Sequence, residues 1–371
     1  MWQYQSDHYR LQRLALLPTA DSLPISELHS ALLRLSEAEQ RQLLALILNQ
    51  GLQFFWLEAL RELPDLSFAA AWREQLKEQC FRNTTRYLAQ KKALIELDRL
   101  FEEEQIPYAV FKGAHIREVV YPNPAYRPSV DIDLLVSPDE KIRAVHSLCA
   151  NGYTLFPDPA NVSHEVGLAK DNVHLDLHWH IMRPGRTRIE LTALFLQSRQ
   201  RCGFFWGLDN DMTLLVLLAH PVFTKYSTAP QSSIVRLADL RKWLERREID
   251  WQRLLHLLED SGLKTAAWIT ATILTDLTGY RLPAFVYEAI SPTHPKRYLL
   301  KKWLDLNLSS KFADYPIIPK YIFTLLAHDR WRDMINFIKI YREEQKKAGE
   351  ILGEIRQAST VVADSSRIKL I

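Results

Sequence analysis

The sequence predicts an α+β protein: a small mixed β-sheet core with helices at about 106–207, flanked by a helical segment at 1–105 and a helical domain at 208–371. Three observations predict it. Apolar residues recur at helical spacing as far as the charged stretch "FEEEQ" at 101–105. The period then drops to two in "YAVF", "VDIDLLV" and "VHLDLHWHI". From Met212 onward it returns to the helical value.

Taken in order, "SELHSALLRLSEAEQRQLLALILNQG" predicts one long helix, with Ser26 as its N-cap and Gly51 as its stop. After the break "LPDLS" a second helical run covers about 68–105. "YAVF" (108–111) predicts a strand, "KGAHIREVVY" a turn into a short helix, and "PNPAYRPS" a loop. "VDIDLLV" (130–136) is the next strand. "SPDEKIRAVHSLCANG" predicts a helix with Ser137 as N-cap, Pro138 at the first position and Gly152 as C-cap. "YTLF" is a short strand, and "EVGLAK" and "VHLDLHWHI" are two strands around the tight turn "DN". Helices follow in "TLLVLLAHPVFTKY", "SIVRLADLRKWLERR" and "WQRLLHLLEDSG", and the tail from about 353 is polar enough to fray.

The bulk properties exclude several classes. The 371 residues are 47% hydrophobic and 25% charged, which is ordinary globular composition. A net charge of +3 does not indicate a broad polybasic surface. Three scattered cysteines with no CxxC fit a reducing compartment and argue against a disulfide framework. The first residues lack an apolar run behind a basic one, and "LLALILNQGLQFFWLEAL" is interrupted by Asn49, Gln50 and Gln53. The expectation is a soluble, cytoplasmic protein with no membrane partner.

The chemistry lies in the strands. Alternation points Asp131 and Asp133 the same way, about 7 Å apart along the strand, with Val130, Ile132 and Leu134 facing a core. Two like charges on one buried face repel, and a divalent cation turns that repulsion into coordination. In "VHLDLHWHI" the residues Val173, Leu175, Leu177, Trp179 and Ile181 face the core. His174, Asp176, His178 and His180 share the opposite face. Asp176 is thus a third carboxylate of the kind a two-metal phosphoryl-transfer site uses. His178, two residues on, is a supporting partner for it. In "FKGAHIREVVY" a strand ends in Lys-Gly and opens into a helix, which brings backbone N–H groups and the positive helix end together. Gly113 lets a phosphate approach the backbone, and Lys112 adds a charge. Arg127 is either a further phosphate partner or one half of a salt bridge that pins the loop.

Phosphate turn, helix, Asp-x-Asp strand and a later aspartate resemble the nucleotidyltransferase superfamily that includes DNA polymerase beta. Its pattern is a hydrophobic residue before Gly-Gly or Gly-Ser, then Asp-x-Asp or Asp-x-Glu among hydrophobics. Here it reads "FKGA…VDIDL". More narrowly, "FKGAHIREVVYPNPAYRPSVDIDLLV" followed by "HLDLHWHIM" is similar to a bacterial family of uncharacterised nucleotidyltransferases, and the likeness runs over about 108–283. The resemblance implies a nucleotidyltransferase-type core that moves a nucleoside monophosphate from an NTP, with ATP the first candidate. It implies Mg²⁺ or Mn²⁺ on Asp131, Asp133 and Asp176, and nucleotide phosphates near Lys112, Gly113, Ala114 and Arg127. Two features depart from the superfamily: Ala114 lacks the hydroxyl that often touches phosphate, and the gap from Gly113 to Asp131 is long. A similar "KGG…DID" in toxin and phage-defence nucleotidyltransferases leaves the acceptor open between protein, RNA and a small molecule.

Three other readings compete. One is a binding protein that keeps the fold without the chemistry, and the complete set of aspartates argues against it. A zinc site on "HLDLHWH" is disfavoured, because alternate residues over that stretch spread across about 14 Å. Nucleic-acid binding through Arg236, Arg241, Lys242, Arg246 and Arg247 competes with an ordinary solvated helix face.

Overall fold

The structure is a computed structural model, and it describes residues 9–22, 25–226, 234–306 and 317–368. Residues 1–8, read above for a secretory signal, and the last three residues of the tail lie outside them. The strands are β1 (Tyr108–Phe111), β2 (Asp131–Val136), β3 (Thr154–Phe156), β4 (Glu165–Lys170), β5 (Val173–His178), β6 (Gln200–Cys202) and β7 (Phe205–Gly207). The helices before the sheet are α1 (Arg10–Leu16), α2 (Ile25–Leu33), α3 (Glu37–Asn49), α4 (Gln53–Ala59) and α5 (Ala69–Glu103). Within it lie α6 (Lys112–Val120), α7 (Lys141–Ala150) and α8 (Thr192–Gln197). After it come α9 (Asn210–Pro221), α10 (Val235–Arg246), α11 (Trp251–Ser261), α12 (Lys264–Thr278), α13 (Ala284–Ile290), α14 (His294–Asp305), α15 (Ile317–Ala327) and α16 (Trp331–Ile368).

The seven strands form one mixed sheet in the order β3-β4-β5-β2-β1-β7-β6. β2 is central, antiparallel to β1 and parallel to β5. Its alternation is buried on both sides. Ile132, Leu134 and Val136 pack with Val110, Leu175 and Leu177 against α5, α7 and Ile355 of α16. Leu135, Ala109 and Phe111 turn to a larger cluster that joins the N-terminal helices to α9–α14. Burial on both faces explains why "LLV" carries no polar residue after the aspartates.

The structure departs from the sequence prediction in several places: Ser26 lies inside α2 instead of capping it, and β5 ends at His178, short of Ile181. The first long helix is two. Ser36 caps α3 through a reciprocal capping box with Glu39, and α2 ends before it. The helix after β2 begins as a 3-10 turn (Pro138–Glu140), and Ser137 makes no side-chain cap bond there. β6 and β7 extend the sheet beyond β1, where no strands were predicted. The tail does not leave the fold at 353: α16 continues, with Ile355 and Ala358 buried against the sheet layer. Val130 precedes β2 and is 69% exposed, so it takes no part in the core.

Candidate active site

β1 ends at Phe111 and α6 begins at Lys112, with no intervening turn. Lys112 makes the bend itself, at φ +54°. A left-handed lysine costs about 1–2 kcal/mol, so something local must hold it. Its ammonium does so. Lys112 Nζ donates to Asp133 Oδ1 at 2.7 Å, lies 3.4 Å from His178 Nε2, and sits 4.7 Å from the centre of the Phe111 ring. Gly113 follows. A Cβ there would stand 2.5 Å from Arg127 Nη1 and 2.6 Å from Ser129 Oγ, so only glycine fits beneath the loop. Ala114 turns its methyl into the apolar core, which leaves its backbone N–H as the part that can meet a ligand.

The parallel pairing of β2 and β5 sets Asp131 beside His174 and Asp133 beside Asp176. The three aspartates, 43 residues apart at the pair, thus share one sheet face. His178 comes up from the end of β5 with Nε2 3.1 Å from Asp133 Oδ1. Its Nδ1 is 3.1 Å from Glu165 Oε2 but without hydrogen-bond alignment. Glu165 and His178 are direct partners in the antiparallel β4–β5 pair. Gly167, opposite Asp176, keeps the strand free of a side chain: a Cβ would lie 3.2 Å from the Phe156 carbonyl oxygen and 3.7 Å from Asp176 Oδ1.

The carboxylates are driven apart in acidity. Burial opposes the charge of Asp133, yet the Lys112 ammonium and the bond to His178 outweigh it and hold its carboxyl well below the usual range. Asp131 is shifted upward by burial and by Asp133, against the pull of Lys112 and Arg127. Asp176 is pushed up to about 7 by burial, then by Asp133, Asp131 and Glu165, with Lys112 opposing. One group is therefore poised to be ionised throughout, while another exchanges a proton near neutrality.

Arg127 forms a built pair. Its Nε and Nη2 reach Asp239 of α10, the shortest contact being Nη2 to Oδ2 at 2.8 Å, and Nη1 donates to the Pro128 carbonyl at 2.6 Å. Asp239 is fully buried and also accepts from the Tyr121 hydroxyl at 2.8 Å. This is the loop-pinning alternative of the sequence reading. It ties the loop over Gly113 to the C-terminal helices.

Other candidates separate cleanly. His174 is exposed, and His180 bonds Glu190 rather than the acidic face. Arg241, Lys242, Arg246 and Arg247 each have local partners, in Glu245, Asp21, Asp21 and Asn210. Glu165 could have been found in the sequence. A two-residue turn at Asp171–Asn172 sets Lys170 opposite Val173, and counting back places Glu165 opposite His178. Asp239 carried no signal beyond an acid set among leucines.

Asp131, Asp133, Asp176 and Glu165 line a cavity of about 850 Å³ with Lys112 and Gly113. Asp133, Asp176 and His178 can each offer one atom within 4.8 Å of the others. Asp131 is not part of that group. Asp133 raises the pKa of its neighbour Asp176, and two adjacent carboxylates beside an imidazole are a donor set that suits a divalent cation, so the residues fit one. Among the described residues no helix is long and apolar enough to cross a membrane.

A family model described as an uncharacterised nucleotidyltransferase matches residues 36–279. No curated protein matches the chain.

Proposed function

The chain belongs to this nucleotidyltransferase family, and from that membership we propose that it transfers a nucleoside monophosphate from an NTP, ATP first among them, to a hydroxyl acceptor. The observation that carries the reading is the pairing of Asp133 with Asp176 across two parallel strands, beside Asp131 and under Lys112. The triphosphate lies at the start of α6, where backbone N–H groups and Lys112 meet it. Asp131, Asp133 and Asp176, with His178 at their side, would hold Mg²⁺ or Mn²⁺. Such an ion supplies charge neutralisation to the phosphates and acidity to an acceptor hydroxyl.

The acceptor oxygen forms a bond to the α-phosphorus. The bond from that phosphorus to the oxygen bridging to the β-phosphate breaks, and pyrophosphate leaves with the electron pair. The hydroxyl proton passes to ionised Asp176 as general base. Asp133 stays ionised through the cycle, held so by Lys112 and His178.

A melting experiment tests this. Mg²⁺ and ATP together should raise Tm more than either alone, and pyrophosphate should be released once a host lysate supplies the hydroxyl acceptor. No joint shift with any NTP, and no pyrophosphate, would reject the reading.

A further inference from the structure

Arg186 is a buried cation without a counter-charge among the described residues. It lies on the loop after β5, is 8% exposed, and lines the same cavity as the aspartates. Its Nη1 donates to the Phe223 carbonyl at 2.9 Å, its guanidinium sits 5.4 Å from the Phe223 ring centre, and its Nε has no hydrogen-bond partner. The charged and titratable groups acting on it are Arg183 and Tyr341, and among the described residues no carboxylate acts on it. Burial first, and Arg183 second, lower its pKa to about 9. The other deeply buried arginine of the cavity, Arg127, has Asp239. Burying an unpaired charge costs several kcal/mol, so a fold that retains one gains something from it. Guanidinium forks fit phosphate and carboxylate oxygens.

The second cation stands beside it. Arg183 lines the cavity and donates to the side-chain oxygen of Asn161. Two buried histidines connect the arginines to the acidic face. His164 is kept neutral by burial and by His178, Arg183, Arg186 and Lys112. His220 is kept neutral by burial and by Lys112, Arg236, His178 and Arg186. The arginines and Lys112 therefore act in one chamber but come from different elements. Lys112 opens α6, whereas the arginines lie on the loop that follows the strand carrying Asp176, the group assigned above to the acceptor hydroxyl.

We propose that Arg183 and Arg186 form a subsite for an anionic group, phosphate or carboxylate, on the acceptor. This rests on the nucleotidyl-transfer reading, in which Lys112 and the α6 start take the triphosphate. The acceptor class is then a hydroxyl compound bearing a phosphate or carboxylate.

Calorimetric titration with inorganic phosphate tests it, without nucleotide and again with saturating non-hydrolysable ATP analogue and Mg²⁺. Phosphate should bind the wild type equally in both conditions. Arg186→Gln and Arg183→Gln should each weaken phosphate about tenfold or more while leaving analogue affinity within about twofold. Arg183, the less buried of the two, keeps the test open should Arg186→Gln fail to fold. Phosphate displaced by the analogue, with the analogue weakened about tenfold by Arg183→Gln, would mean that the arginines hold the triphosphate, and would overturn the proposal. So would a wild type that does not bind phosphate. Analogue binding is scored separately: its absence from the wild type counts against the nucleotidyl-transfer reading, not against the anion subsite.

Discussion

Asp239→Ala should destabilise the protein heavily although it removes no member of the acidic cluster. The change leaves the Arg127 guanidinium buried with the Pro128 carbonyl as its remaining hydrogen-bond partner, and leaves the Tyr121 hydroxyl without its acceptor. Removing one partner of such a pair costs about 3–5 kcal/mol, because the surviving charge stays desolvated. At roughly 2.1 cal/mol/K per residue, a 371-residue chain has an unfolding entropy of about 0.8 kcal/mol/K. The loss then lowers Tm by about 4–6 °C if the chain melts in one transition. Calorimetric melting at neutral pH reads it directly. Replacing the whole pair in Arg127→Met, Asp239→Leu removes the stranded charge, so the double variant should recover at least about half of the loss. A single variant that loses less than about 1 kcal/mol, or a double variant no better than the single, would refute the view that desolvated charge sets the size of the effect.

Three further outcomes follow from the same geometry. Gly113→Ala drives a methyl against Arg127 and Ser129 and should cost about 1–3 kcal/mol in a urea melt, where an unchanged midpoint would contradict the packing argument. Asp176 has an ordinary pKa of 3.8 and a folded value of about 7. Between these values the folded protein holds a proton that the unfolded chain has released, so metal-free stability falls as pH rises from about 4 to 7 and stays reduced above. Asp176→Asn should therefore raise Tm in chelator at pH 8 and leave it nearly unchanged at pH 4; a variant that melts lower at pH 8 would reverse the sign. Lys112→Met removes the largest favourable charge on Asp133, so a carbon-detected NMR titration should show that carboxyl moving up toward the ordinary range. A carboxyl that stays depressed would shift the credit to His178.

The local part of the site was legible, and the tertiary part was not. Strand alternation placed Asp131 with Asp133, and Asp176 with His178, because one pleat decides both. Nothing within either strand states that Asp133 sits beside Asp176; that register comes from the crossover through α7, β3 and β4. Arg127 looked alike as a phosphate ligand or as an ion pair, and the choice lay in Asp239, on a helix of the other segment. β6 and β7 are three residues each, too short for alternation to show. The break between α2 and α3 was hidden by apolar spacing that runs through it, although Ser36 and Glu39 carry the cap. The tail looked polar because Ile351, Ile355 and Ala358 are a thin stripe, yet that stripe suffices to seat α16 beside α7.

Nucleotidyl transfer by these aspartates is tested by one labelling experiment. The purified protein is incubated with each α-labelled NTP, Mg²⁺ or Mn²⁺, and a lysate of its host, beside a chain carrying both Asp131→Asn and Asp133→Asn. With the wild type alone, label should appear on a macromolecular acceptor, or pyrophosphate should be released as a small acceptor takes the nucleoside monophosphate. Transfer that persists in the doubly substituted chain, or a wild type that yields neither signal, would contradict this role for the aspartates.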